Sequence, residues 1–197
     1  MSEKENNLNR RKIITITTIA AGAIAGVGAS VPFIASLKPS EKARAAGAPV
    51  TVNPSLIQPG MLLTIEWRGK PIWVMKRTET MLTSLEKNND FLTDPQSNVP
   101  LQPDYAKNSF RSIKGDILVL VGVCTHLGCS PVQKLEVGES SGMGSNWNGG
   151  FYCPCHGSKF DLAGRVYKGA PAPVNLEVPP HYFASDDELI IGEDQLT

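Results

Sequence analysis

Neither sign of charge predominates in this chain: 19 lysines and arginines face 19 aspartates and glutamates. There is thus no basic surplus of the kind a nucleic-acid partner requires. Aromatic residues are scarce, at 7%, whereas 18 glycines and 15 prolines punctuate the sequence. That balance argues against a helical bundle and for a mainly β, loop-rich protein. A length of 197 residues allows one sizeable domain plus an appendage. Cysteine and histidine are also few, four and three respectively, and they are not dispersed. All the cysteines and two of the histidines stand in two short segments, and no other internal repeat is evident.

The first segment reads Cys124-Thr125-His126-Leu127-Gly128-Cys129 and the second Cys153-Pro154-Cys155-His156-Gly157-Ser158. Thiolates and imidazoles gathered in this way are metal-site chemistry. Structural zinc sites usually pair C-x2-4-C with H-x3-5-H, whereas here C-x-H-x2-C is followed by C-x-C-H. Two cysteines and two histidines can bind a [2Fe–2S] cluster, thiolates on one iron and imidazoles on the other. A Cys2His2 zinc loop leaves two cysteines unexplained, and a pair of structural disulfides leaves the paired histidines unexplained.

On these two boxes the chain resembles the Rieske iron–sulfur protein family, in particular the iron–sulfur subunits of bacterial ubiquinol–cytochrome c reductase (the cytochrome bc complex). The resemblance implies that Cys124 and Cys153 are thiolate ligands, that His126 and His156 are imidazole ligands, and that Cys129 pairs with Cys155 as a disulfide. It implies one Rieske-type [2Fe–2S] cluster in an antiparallel β-sandwich with a cluster-binding subdomain over about residues 124–173. It also assigns Ser158 to a hydrogen bond with the cluster, Leu127 to a shield at the quinone pocket, and Gly169-Ala170-Pro171-Ala172-Pro173 to a covering proline loop. One position departs from the family pattern. Phe160 stands where relatives commonly carry a tyrosine that bonds a ligand sulfur, so a potential below that of tyrosine-bearing relatives is expected. His181 lies outside any motif and reads as an ordinary hairpin residue.

The appendage is N-terminal. After a cytoplasmic segment, residues 1–12, residues 13–37 carry no charge. A helix over that stretch rises roughly 37 Å at ~1.5 Å per residue, enough for a ~30 Å hydrocarbon core. Its threonine and serine hydroxyls can bond back to helix carbonyls. Gly22, Gly26 and Ala29 give a small-residue face, and Pro32 predicts a kink. Arg10-Arg11-Lys12 place the N-terminus in the cytoplasm by the positive-inside rule, and the paired arginines resemble a twin-arginine export signal. A cleaved signal peptide is the competing reading, with Ala43-Arg44-Ala45-Ala46-Gly47-Ala48 as a mimic of its cleavage site. The apolar run exceeds a 7–15-residue signal core, so a retained single-pass anchor in the bacterial inner membrane is expected. The C-terminal domain, residues 50–197, would then be periplasmic, in a compartment that permits the disulfide.

Residues 38–49 read as a linker, coil or a marginal short helix, and by resemblance a hinge. Beyond it, 61–68 and 70–77 predict a hairpin about Gly69, and Thr78 caps a helix to Lys87. Residues 90–112 predict a long surface loop. The apolar run 116–123 predicts a central strand that delivers Cys124, and Gly138–Gly150 a mobile loop. A last hairpin pairs 181–185 with 188–192 about Asp186-Asp187. By resemblance the chain is a catalytic subunit of proton-translocating quinol oxidation. It would carry an electron from ubiquinol, at a cytochrome b subunit, to a c-type cytochrome within a dimeric complex, with His156 as quinol contact and proton acceptor. Two alternatives stand beside this reading: the small Rieske subunit of a periplasmic molybdenum oxidase, which shares the boxes, and an oxygenase ferredoxin. The first needs neither a retained anchor nor a hinge, and the second is cytoplasmic and lacks the extra cysteine pair.

Overall fold

The computed structural model describes residues 3–41, 43 and 47–195. The chain divides into two units, residues 1–45 and 46–197. In the first, helix α1 runs Glu3–Ser36 and continues past Pro32, beginning well before the charge-free stretch. The hydroxyls of Thr15, Thr17, Thr18 and Ser30 each donate to the carbonyl four residues back, at 2.8 Å. Their polarity is thereby absorbed within the helix, as an apolar surrounding requires. The stretch Asn7–Ser36 is long and apolar enough to cross a membrane. In the linker, Ser40 Oγ accepts from the Ala43 amide at 3.1 Å, and Glu41, Ala43 and Gly47 are helical. Lys42 and residues 44–46, which include half of the possible cleavage site, lie outside the described residues.

The second unit is built from three antiparallel sheets of three strands each. One has the order β1-β9-β8, from Val50–Val52, Glu188–Ile191 and His181–Ser185. Another has the order β2-β3-β4, from Leu62–Trp67, Lys70–Lys76 and Ile117–Val121. The third has the order β5-β6-β7, from Val132–Lys134, Gly150–Tyr152 and Lys159–Phe160. The β2–β3 turn places Arg68 and Gly69 at φ +50° and +71°, the left-handed pair that a tight two-residue hairpin needs. Helix α2, Glu79–Lys87, follows β3, and Thr78 Oγ1 caps it by accepting from the Met81 amide.

Strand β4 lies at an edge, not at the centre, since β3 pairs with both its neighbours. Its unbroken apolar run arises because both faces are covered. Leu118 and Leu120 enter one core with Trp73, Phe151, Phe160 and Leu176, while Ile117, Val119 and Val121 enter a second with Trp67, Ile72 and Ile191. Each such side chain contributes about 1.5–3 kcal/mol by leaving water. The free edge is closed by the Val121 amide donating to the Glu177 carbonyl. Just beyond the strand, Trp73 lies so close over Gly122 that a Cβ there would fall 2.4 Å from the indole.

Two other expectations are corrected. Residues 90–112 are not merely a surface loop: Leu92, Ser97, Ala106, Arg111 and Ser112 are buried. Ser112 Oγ accepts from Arg77, and the Arg111 Nη atoms donate to Ala163 and Gln102, whereas Ser97 Oγ and Arg111 Nε are buried without a partner among the described residues. Gly138–Gly150 is not loose either. Buried Trp147 anchors it, donating from Nε1 to the Lys134 carbonyl and packing against Tyr167. His181, read as ordinary, is fully buried, with Nδ1 2.8 Å from the Pro179 carbonyl. Burial holds its pKa below the usual histidine value, favouring the uncharged ring.

Candidate metal centre

The two cysteine–histidine boxes are copies of one backbone turn. In the first, the Gly128 amide donates to the Cys124 carbonyl and the Cys124 amide to the Cys129 carbonyl. In the second, the Gly157 amide donates to the Cys153 carbonyl and the Cys153 amide to the Ser158 carbonyl. Both closing glycines take left-handed conformations, φ +84° and +81°, where a side chain is disfavoured. The first loop follows β4, and the second joins β6 to β7.

Cys124 and Cys153 stand at the same position of the turn and are both free thiols, each 2% exposed. They are adjacent: burial pushes the Cys153 thiol up, and the Cys124 sulfur beside it adds to the rise, against the amides of Cys155 and His156 that favour the thiolate. His126 is half-buried and His156 exposed, and their rings meet edge to face with centroids 4.7 Å apart. Two soft sulfurs on the inside, two imidazoles on the outside and amide donors aimed at a sulfur fit a [2Fe–2S] cluster with unlike irons. A metal taking the place of the thiol protons would remove the cost of burying thiolates.

Cys129 and Cys155 are joined as a disulfide that bridges the loops. Their sulfurs lie near that of Cys153, but sulfurs bonded to each other are not a ligand set, so the donors that remain are Cys124, Cys153 and the two histidines. Leu127 projects outward, 72% exposed. Ser158 is buried, and its Oγ accepts from the Ala172 amide at 3.0 Å. Phe160 lies fully buried in the same core as Cys124 and Cys153.

Residues 169–173 come over the site through two ties, Ala172 to Ser158 and Thr125 Oγ1 to the Val174 carbonyl at 2.7 Å. Thr125 was not legible as a site residue, since a threonine between two ligands carries no chemical signal of its own. Lys159 was missed likewise; its Nζ donates to the Met143 carbonyl and pins the 138–150 segment to β7.

Residues 103–180 match the Rieske [2Fe-2S] domain, and residues 1–40 match the TAT signal of the ubiquinol–cytochrome c reductase Fe-S subunit. The chain is 52% identical over 195 residues to the ubiquinol-cytochrome c reductase iron-sulfur subunit of Allochromatium vinosum, covering 99% of this chain and 94% of that protein. The chain belongs to this family of Rieske iron–sulfur subunits. It is also 40% identical to the subunit of Bradyrhizobium diazoefficiens, over 93% of this chain and 94% of that one. The mitochondrial cytochrome b-c1 complex Rieske subunit of Theropithecus gelada is 37% identical, over 91% of this chain and 58% of that protein. As a Rieske iron–sulfur subunit, the chain has a [2Fe–2S] cluster as its cofactor, electron transfer as its work and an oxidoreductase role, with an export signal region in its apolar helix.

Proposed function

We propose that this chain takes one electron from ubiquinol, bound beside a cytochrome b subunit, and passes it to a c-type cytochrome in a dimeric, proton-translocating complex. Cys124 and Cys153 would hold one iron, and His126 and His156 the other. When bound, the cluster supplies one-electron acceptance at a raised potential, because neutral imidazoles replace anionic thiolates.

The observation that carries this reading is the polarity of the site. Both free thiols are buried, whereas His156 and Leu127 face outward. Once deprotonated at the ring nitrogen that does not hold iron, an exposed imidazole would accept a hydrogen bond and then a proton from a quinol hydroxyl. Leu127 offers an apolar contact beside it and keeps water from the donors. The Cys129–Cys155 bridge and the Ala172–Ser158 bond hold the two loops and the proline segment at fixed spacing. Helix α1 would be a retained anchor with Arg10, Arg11 and Lys12 on the cytoplasmic side, and residues 38–49 the hinge on which the periplasmic domain moves.

Electron paramagnetic resonance of purified membranes tests the proposal. Adding a quinol-site inhibitor should shift the reduced-cluster spectrum. A spectrum indifferent to every such inhibitor would overturn the quinol-facing assignment.

A further inference from the structure

Immediately after the second loop the chain turns through Asp161–Gly164, and three buried guanidiniums converge on that turn. Arg77 Nη1 donates to the Leu162 carbonyl at 3.0 Å and to that of Phe110 at 2.9 Å, and Nη2 to Ser112 Oγ. Arg111 Nη1 donates to the carbonyls of Ala163 and Gly164, at 3.2 and 3.4 Å, and Nη2 to Gln102 Oε1. Arg165 forms a fully buried ion pair with Asp161, 2.7 Å long, and donates from Nη2 to the Leu85 carbonyl. The Gly164 carbonyl also accepts from the Leu176 amide, just beyond the proline segment. The turn therefore joins the second loop, the covering segment and the 90–112 stretch.

Holding carbonyls does not call for three cations. A neutral amide donor would serve with a far smaller desolvation cost. The charges are not balanced either. Against the three guanidiniums stand Asp161 and Asp94, both buried, with Asp116 exposed to solvent. Desolvation brings Arg77 and Arg111 down to about 10, so both remain protonated at neutral pH, and the Nε of each is buried without a partner among the described residues. Phe160, Leu162 and Ala163 belong to the same core as Cys124 and Cys153. The excess charge thus adjoins the core that holds the two thiols, where Coulomb interactions are weakly screened.

We propose that Arg77 and Arg111 are positioning residues that hold the 161–164 turn behind the second loop, and that their uncompensated charge biases the bound cluster toward its electron-carrying form. An added electron makes the site more negative, and a nearby fixed positive charge favours that form. The inference rests on Cys124, His126, Cys153 and His156 being the ligands.

The test is redox titration of the full-length protein in membranes, followed by electron paramagnetic resonance, with thermal unfolding of each variant by circular dichroism. Arg111→Gln and Arg77→Gln should each lower the reduced-to-oxidised ratio at a fixed potential at least threefold, about 30 mV at 59 mV per decade. Arg111→Lys should restore most of the shift. Asp94→Asn, which removes a negative charge facing Arg111, should move the midpoint upward, an opposite sign that a loosened fold would not produce. Unmoved midpoints in folded Gln variants, or a downward shift in Asp94→Asn, would overturn the proposal. Should the Gln variants fail to fold, Asp94→Asn alone decides: an upward shift supports the inference, and an unmoved or lowered midpoint ends it. Failure of the ligand assignment would look different, as cysteine variants that retain a native spectrum.

Discussion

The two cysteine–histidine loops share one backbone and divide the chemistry. Each is closed by the same two hydrogen bonds and a left-handed glycine, and each buries its first cysteine. They differ at the turn's last residue. Cys129 reaches across to Cys155 as a disulfide, whereas Ser158 turns inward and accepts from Ala172. Their histidines also sit one position apart, so His126 is half-buried and His156 exposed. A repeated turn thus supplies two equivalent sulfurs, and one-residue offsets within it assign a brace, an inner imidazole and an outer one.

The equivalence of the sulfurs can be broken most severely. Cys124→Ser and Cys153→Ser should each abolish the cluster, measured by iron content and visible absorption. Retention of a native spectrum by either would show that the two positions are not both ligands. Next in size is the brace. Cys129→Ala and Cys155→Ala should cost the same, on the order of 2–4 kcal/mol, with faster cluster loss on warming. A clear inequality between them would mean that one cysteine has a role outside the bridge.

The closing glycines sharpen the comparison further. Gly128→Ala and Gly157→Ala should each destabilise by about 1–2 kcal/mol, because alanine is strained at positive φ. Nothing lies within 4 Å of a Cβ at Gly128, and at Gly157 only Tyr152 Oη comes within that distance, so unfolding midpoints should fall nearly equally. The smallest expected effect concerns the residue beyond the second loop. Phe160→Tyr adds a hydroxyl in the core of Cys124 and Cys153; a bond of ~1 kcal/mol favouring the reduced form would raise the midpoint by roughly 40 mV. An unchanged or lowered midpoint in redox titration would remove the donor argument.

Local pattern accounts for what was legible. The β2–β3 and β8–β9 hairpins, the Thr78 cap and the apolar helix all follow from short-range signals: alternation, turn residues and a run without charge. The loops were legible because soft ligands at close spacing have few other uses. The edge position of β4 was not legible, because an apolar run reports burial on both faces and not the identity of its neighbours. Residues 90–112 and 138–150 read as loose for a related reason. Their polar and glycine-rich composition is that of loops, and only the places found by Arg111 and Trp147 make them part of the core.

The sequence by itself determined the two cysteine–histidine boxes, the apolar helix and the strand-forming segments, since each depends on residue type and local spacing. The tertiary structure alone decided that Cys124 and Cys153 lie inside while His156 lies outside, and that Arg77 and Arg111 meet one turn. Those relations bring together groups far apart along the chain, and burial and charge balance are properties of the packed neighbourhood that no single segment carries.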